Sequence, residues 1–398
     1  MFRMILRARW LIDRRFKIHS PAAIHIGEGK EIVDLGDSIL LPGLINAHCH
    51  LDYTDFRNRI SPQEEFTKWI QEINFLKSSW REEDFIRSIQ HGLDESIRYG
   101  TTTIANWICN PHNLTPISPS RIRVWWLWEQ IAFRSTEPDL CQWNSWLTQV
   151  HSKSPFWFAG LAPHALYTCR TEVIESAARW SKEHRRLWSI HLAESKEEWD
   201  MFCHARGPLF DLLAGLGRNM SDCGQETPVA RLKKILLKIP SQTLWIHVNY
   251  LNSADYALIE SLITEAKRDI SIVHCPRSHT FFKHKPFPIN RLRAMGVNIC
   301  LGTDSLASNE DLSMFAEMKL CSELYPEIKP QEIFQLATLH GARALGVEKE
   351  WLNWNDWIAI PATNRGITDL WETVVRFTGE PQCVMVDGKL VRQTLTRN

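Results

Sequence analysis

The segment LINAHCHLDY places His48 and His50 either side of a single residue, directly after Pro42 and Gly43. On a β-strand, residues i and i+2 point to the same face, so two such imidazoles converge on one point. Converging neutral imidazoles are how a strand offers ligands to a divalent metal. Two strand histidines by themselves are more often packing or surface residues, so the pair needs further ligands. Cys49, between them, must face the other way and is left out of the site. Other groups of ligand type follow at the ends of short apolar runs. They are His164 in LAPHALYT, His191 and Glu194 in IHLAES, His247 in WIHVNYL, His274 in VHCPRS and Asp304 in LGTDS. Together they would make a metal site, provided that one fold brings the ends of these runs to one rim.

The chain has the elements to do so. From about residue 40 to 305 the apolar runs SILLPGLINAHCHL, GTTTIANW, RIRVWWLWEQ, PFWFAGLAPHA, LWSIHLAES, TLWIHVNYL, ISIVHCPRS and VNICLGTDS alternate with longer segments of helical period. REEDFIRSIQHGLDESIRYG is one of these segments, with Phe85, Ile86, Ile89, Leu93 and Ile97 on one stripe that ends at Gly100. Strands alternating with helices predict a parallel sheet, and eight repeats predict an α/β fold of (β/α)₈ TIM-barrel type over residues 41–351. In such a barrel, chemistry sits at the C-terminal ends of the strands. The stretch Arg206–Ile239 is longer than one crossover helix needs and could supply a lid. Residues 1–40 (ILRARWLI, then AAIHIGEGKEIVDLG with a turn at GEGK) and 352–398 (DWIAIPA, ETVVRF and QCVMVDGKLV with a turn at Asp387-Gly388) read as β segments. The two ends are expected to form one small β-sandwich beside the barrel.

The 398 residues suit one large barrel with a minor domain. Lys plus Arg equals Asp plus Glu, at 46 each, so no global basic field attracts nucleic acid or an anionic membrane. No apolar stretch approaches the 18 or so residues of a membrane span, and MFRMILRARWLIDRRF lacks the long apolar core of a secretory signal. Ten cysteines without a CxxC pair suit reduced thiols in a cytoplasm. Eighteen tryptophans is the unusual count, read as core and lid packing.

Taken as a set, PGLINAHCHLD, LAPHALYT, IHLAES, WIHVNYL, VHCPRS and LGTDSLASNEDL resemble the amidohydrolase superfamily, in its mononuclear deaminase and chlorohydrolase branch, over nearly the whole chain. The resemblance implies a metal-bearing barrel with an appended β-sandwich, in agreement with the reading above. It implies that His48, His50, His191 and Asp304 hold one divalent ion per chain, Zn²⁺ in preference to Fe²⁺. Three neutral nitrogens and one carboxylate suit either ion. It further implies catalytic roles for three residues. His247 orients the attacking hydroxide, Asp304 takes the released proton, and Glu194 protonates a ring nitrogen and then serves the leaving group. A second metal is disfavoured because the fourth run contains no lysine, and Lys153 lies before it on the wrong side of the barrel. His274 reads as support for its loop rather than as a ligand. His279 stands where the family often has Asn, which affects the seventh loop and not the metal site.

Hydroxide attack with a carboxylate shuttle suits an amidine-like carbon bearing an amino group. The H-x-E…P-C-x-x-C pattern of the other zinc nucleobase deaminases is missing, so that route is excluded. His164 resembles a family position that contacts nucleosides. HCHLDYTDF followed by FTKWIQEI, with Trp69 as a substrate contact, resembles the aminodeoxyfutalosine deaminases of menaquinone biosynthesis. The expected partners are therefore a small purine nucleoside and water, with neither nucleic acid nor membrane, and the reading is compatible with a homodimer. Trp107 could also stack on rings. Arg277, Lys283 and Lys285 could meet a substrate carboxylate, although a solvated basic loop is the simpler reading. The alternatives are S-adenosylhomocysteine or methylthioadenosine deamination, then guanine deamination or triazine-type hydrolysis. From another class comes an inactive amidohydrolase-like scaffold, which typically loses the ligands that this chain retains.

Overall fold

The computed structural model describes residues 4–26, 31–134, 140–236, 242–362 and 370–393. Its centre is eight parallel strands, β1 (Leu44–His50), β2 (Thr101–Ile108), β3 (Arg123–Gln130), β4 (Trp157–Pro163), β5 (Ser189–Leu192), β6 (Gln242–His247), β7 (Asp269–His274) and β8 (Asn298–Leu301). Strands β1 to β4 pair in sequence, and so do β5 to β8. The two halves meet at both seams. Leu161 bridges to Trp188 and the His191 N–H donates to the His164 carbonyl at 2.9 Å. On the other side, Asp304 and Ser305 pair in parallel with Cys49 and His50, and the Thr303 N–H reaches the His48 carbonyl at 3.1 Å. The strands are buried almost residue for residue, as expected when helices cover one face and the barrel interior the other. Tryptophans fill the space between strands and helices, among them Trp126, Trp143, Trp146 and Trp157, all essentially inaccessible.

Helix α1 (Phe66–Ser78) and helix α2 (Glu82–Arg98) follow β1. In α2 the acidic first turn Glu82, Glu83, Asp84 complements the helix dipole, and Ile89 and Leu93 of the anticipated stripe are buried. Helix α3 (Pro208–Gly215) lies in the long stretch after β5, where a lid was anticipated.

The ends of the chain build two sheets beside the barrel. One has the order Lys389–Gln393, Cys383–Val386, Trp357–Pro361, Ser38–Pro42, Trp10–Ile12, Ile18–His19; the other is Ala22–Ile26, Met4–Ala8, Glu31–Asp34. Met4, Leu6, Leu40, Ala359 and Met385 form the core between them. The Asp387-Gly388 turn joins the last two strands as anticipated; GEGK lies outside the described residues.

Two expectations need correcting. SILLPGLINAHCHL is two strands rather than one barrel run: Ser38–Pro42 pairs antiparallel with Trp357–Pro361, and only Leu44–His50 enters the barrel. The small layer thus extends past residue 40. Gly43 makes the switch possible, since a Cβ there would sit 2.3 Å from Thr102 Oγ1. ETVVRF is not a strand, because Leu370–Val375 is a helix that buries Leu370, Val374 and Val375. That spacing follows a helical stripe rather than alternation.

A buried ion cluster joins layer to barrel. Asp356 Oδ2 accepts from Arg123 Nη1 at 2.5 Å and its Oδ1 from the Asp387 N–H at 2.7 Å, while Arg14 donates to the Asp356 and Trp354 carbonyls.

Candidate metal centre and its pocket

Strand β1 delivers His48 and His50 to the C-terminal rim, and β5 delivers His191 beside them. His191 Nδ1 lies 3.1 Å from the His164 carbonyl, which can only accept; this puts the proton on Nδ1 and leaves the Nε2 lone pair free. That Nε2 is 3.3 Å from His48 Nε2. Asp304 Oδ1 stands 3.5 Å from His48 Nε2 and 3.8 Å from His50 Nε2. The ligand atoms of His48, His50 and His191 lie within 4.8 Å of one another, as do those of His48, His247 and Asp304.

The chemistry of this donor set fits a divalent ion. Burial pulls His50 down to about 4 and His247 to about 3, and holds His191 well below its ordinary value, so these imidazoles are neutral and can coordinate. Burial alone would raise Asp304, but the His48 hydrogen bond and the electrostatic pull of the surrounding His247, His48 and His50 rings hold it below the usual carboxylate range. Among the described residues, Nδ1 of His48 and of His50 is buried without a hydrogen-bond partner. Three neutral nitrogens and one carboxylate suit Zn²⁺ or Fe²⁺.

The loops lock this arrangement. Ser278 Oγ donates to Asp304 Oδ2 at 2.7 Å and Ser308 Oγ lies 3.3 Å from it, so Oδ1 is left for the cluster. Asp304 (φ 60°) and His247 (φ 72°) both adopt left-handed backbone, which for such residues costs about 1–3 kcal/mol each and is typical of functional positions. Gly302 lets the chain leaving β8 pass behind His48, since a Cβ there would lie 2.8 Å from the His48 carbonyl oxygen.

Glu194 Oε1 is 3.4 Å from His247 Nε2. Burial, with the nearby charges of Asp304 and Glu198, pushes its carboxyl well above the ordinary range, which favours the protonated form. Glu198, fully buried, accepts from the backbone N–H groups of Ala193 and Glu194 at 3.2 and 2.8 Å and so fixes the loop that carries Glu194.

A cavity of 570 Å³ opens over the cluster, with His50, His164, His191, Glu194 and Asp304 at its base. Its walls are largely apolar, with Tyr53, Phe66, Trp69 and Ile73 after β1 and in α1, Ile131 and Phe133 after β3, and Leu209 and Leu213 in α3; Asn74 and Lys77 of α1 are polar exceptions. Helix α3 therefore covers the site. Both anticipated substrate contacts line this cavity. His164 Nδ1 lies 2.8 Å from Thr168 Oγ1, and Trp69 Nε1 donates to the Ala307 carbonyl at 3.1 Å.

Other expected residues lie elsewhere. Trp107 is fully buried and packs 4.2 Å from the His191 ring, beneath the histidines, where no substrate ring can stack on it. Arg277 is paired with Asp311 at 2.6 Å and Glu310 at 3.0 Å, Lys283 with Glu64 at 3.4 Å, and neither they nor Lys285 line the cavity. His274 turns to Tyr325 and stacks on Phe287 at 4.3 Å, as a supporting residue would. His279 donates to the Lys285 carbonyl at 2.9 Å and lies 3.1 Å from Asn249 Oδ1, shaping the seventh loop. Lys153 bonds the Thr115 carbonyl.

The sequence reading missed Glu129. It ends β3 and lines the cavity, with its Oε1 3.9 Å from both His50 Nδ1 and His164 Nε2. The available signal was a charged residue closing the apolar run WWLWEQ.

Comparison with known proteins gives a consistent picture. The Amidohydrolase family matches residues 39–351. The 5-methylthioadenosine/S-adenosylhomocysteine deaminase of Moorella thermoacetica is 29% identical over 337 residues, covering 80% of this chain and 71% of that protein. The 5'-deoxyadenosine deaminase of Methanothermobacter thermautotrophicus is 27% identical over 335 residues, covering 81% and 72%. Among solved structures, Helicobacter pylori aminofutalosine deaminase in complex with methylthio-coformycin superposes with a TM-score of 0.81 at 16% identity, covering 98% of this chain and 100% of that one. A Xanthomonas campestris adenosine deaminase with bound zinc gives 0.78 at 20% identity, covering 97% and 92%.

Proposed function

The chain belongs to the amidohydrolase family, and from that premise we propose that it is a metal-dependent hydrolytic deaminase of a 6-aminopurine nucleoside. The observation that carries the reading is the buried Glu194 carboxyl, 3.4 Å from His247, beside the convergent candidate ligand groups at the base of a nucleoside-sized cavity. His48, His50, His191 and Asp304 would hold one divalent ion. When bound, such an ion acidifies water and so supplies the nucleophile near neutral pH.

The remaining work falls to the chain's own residues. Glu194, held protonated by its surroundings, gives its proton to N1 of the purine, which makes C6 electrophilic. His247 Nε2, 3.4 Å from Glu194 and 3.9 Å from Asp304 Oδ2, lies between the two carboxylates and orients the attacking water. Asp304 accepts the proton lost by that water. The C6 hydroxyl of the tetrahedral adduct then gives its proton to the Glu194 carboxylate, which passes it to the 6-amino group; that group leaves as ammonia as the C6 carbonyl forms, N1 keeps the first proton, and the proton held by Asp304 restores Glu194. The apolar walls exclude bulk water and strengthen each of these contacts.

For the particular nucleoside we favour aminodeoxyfutalosine. The supports are the FTKWI segment carrying Trp69 and the aromatic and aliphatic walls, which suit an aryl arm. Methylthioadenosine or S-adenosylhomocysteine is the second reading, favoured by the names of the relatives. The test is kcat/KM for aminodeoxyfutalosine, S-adenosylhomocysteine, methylthioadenosine, adenosine and guanine, read as ammonia release. Aminodeoxyfutalosine is expected to lead. Guanine as best substrate would overturn the nucleoside reading, and a tenfold lead for S-adenosylhomocysteine would overturn the preferred substrate alone.

A further inference from the structure

Three carboxylates line the cavity: Asp304, Glu194 and Glu129. The first belongs to the candidate ligand set and the second to proton transfer, which leaves Glu129 without a task. It is buried, yet its two oxygens are treated differently. Oε2 accepts from Cys109 Sγ at 2.8 Å, and Tyr53 Oη lies 2.7 Å from that sulfur, so the carboxyl is pinned in rotation. Among the described residues Oε1 has no donor within hydrogen-bond reach; the nearest are His50 Nδ1 and His164 Nε2, each at 3.9 Å. The chamber also holds Lys77 and Asn74 of α1, but among the described residues neither bonds Glu129, so this pinned acceptor is arranged for a donor that arrives with the ligand.

The ligand's geometry says which donor that is. On the deaminase reading, on which this inference rests, N1 and C6 of the purine face Glu194 and His247 on the β5–β6 side. N9, which carries the sugar, is at the opposite end of the bicycle. Glu129 stands on the other flank, on β3 beside His50 and His164, where the base gives way to the apolar chamber. We propose that Glu129 is the specificity-determining residue for a ribonucleoside: its Oε1 accepts a hydrogen bond from a sugar hydroxyl. A deoxy sugar leaves that buried oxygen unpaired, so discrimination follows from an absent partner rather than from a steric clash.

The test uses the metal-loaded full chain and two pairs of probes. Turnover is compared for adenosine and 2',3'-dideoxyadenosine, and equilibrium binding for inosine and 2',3'-dideoxyinosine by calorimetry. The wild type is expected to prefer the ribonucleoside of each pair by about 10- to 100-fold, the value of a hydrogen bond to a charged group. In Glu129→Ala the preference should fall towards one through loss on the ribonucleoside, with Glu129→Gln between, and with metal content equal to wild type. A wild type that treats the pairs alike, or variants that keep the preference, would overturn the proposal. So would variants that lose metal and lose both partners of a pair equally, since Glu129 would then be positioning His50. If the wild type deaminates neither adenosine nor its analogue but its preference for inosine collapses in Glu129→Ala, the hydroxyl contact stands and the deamination reading falls.

Discussion

Glu194 is the residue on which the proposed chemistry turns. Glu194→Gln keeps the shape of the side chain but cannot move a proton, so it is expected to retain metal and lose about 10²- to 10⁴-fold in turnover. Metal analysis beside steady-state kinetics checks this; near-normal turnover in the metal-loaded variant would reassign Glu194. The ligand-type residues were legible in the sequence because each closes an apolar run, and a strand end is where a barrel exposes side chains. Glu129 closes a run too, but its meaning depends on His50 and His164, which arrive from other strands. The left-handed backbone at His247 and Asp304 was illegible for a similar reason. No local preference asks for it, and only the surrounding loops, through contacts such as Ser278 to Asp304, impose it.

Among the elements, the helical stripe of α2 could be read directly, since it buries one side of a regular period. The run SILLPGLINAHCHL could not be divided by period, because both of its strands are buried along their whole length. What separates them is tertiary: one pairs with Trp357–Pro361 and the other with β2. ETVVRF misled because β-branched residues favour strands, yet Leu370–Val375 packs as a helix against the helix Pro330–Leu336. The join between layer and barrel rests on Asp356, 1% exposed, between Arg123 and Arg14. Asp356→Ala takes the carboxylate partner from the buried Arg123 guanidinium while Arg14 keeps its bonds to main-chain carbonyls, and breaking such a buried pair typically costs about 3–5 kcal/mol. Denaturant unfolding of the two proteins gives the difference directly, and a loss under about 1 kcal/mol would mean that the cluster behaves like an exposed pair.

For the whole molecule, a metal bound only by the folded state adds to stability by mass action, about 4 kcal/mol when the free ion is a thousandfold above its dissociation constant. Protein stripped by a chelator should therefore melt at a lower temperature and recover with one equivalent of Zn²⁺ or Fe²⁺. Elemental analysis showing two equivalents, or no thermal shift on stripping, would count against a single centre. No helix among the described residues is long and apolar enough to cross a membrane. The pairing of Ser38–Pro42 with Trp357–Pro361 has a further bearing, on the order in which the molecule can be made. A ribosome finishes the first of these strands early and the second only after the entire barrel has been synthesised. At the usual pace the interval is roughly 15–60 s. Throughout it the apolar Ile39, Leu40 and Leu41 belong to a strand that has Trp10–Ile12 on one side but lacks its other neighbour. The nascent chain therefore carries an open, adhesive edge for most of its birth, and it is in this period, rather than in its finished state, that it has most need of a chaperone.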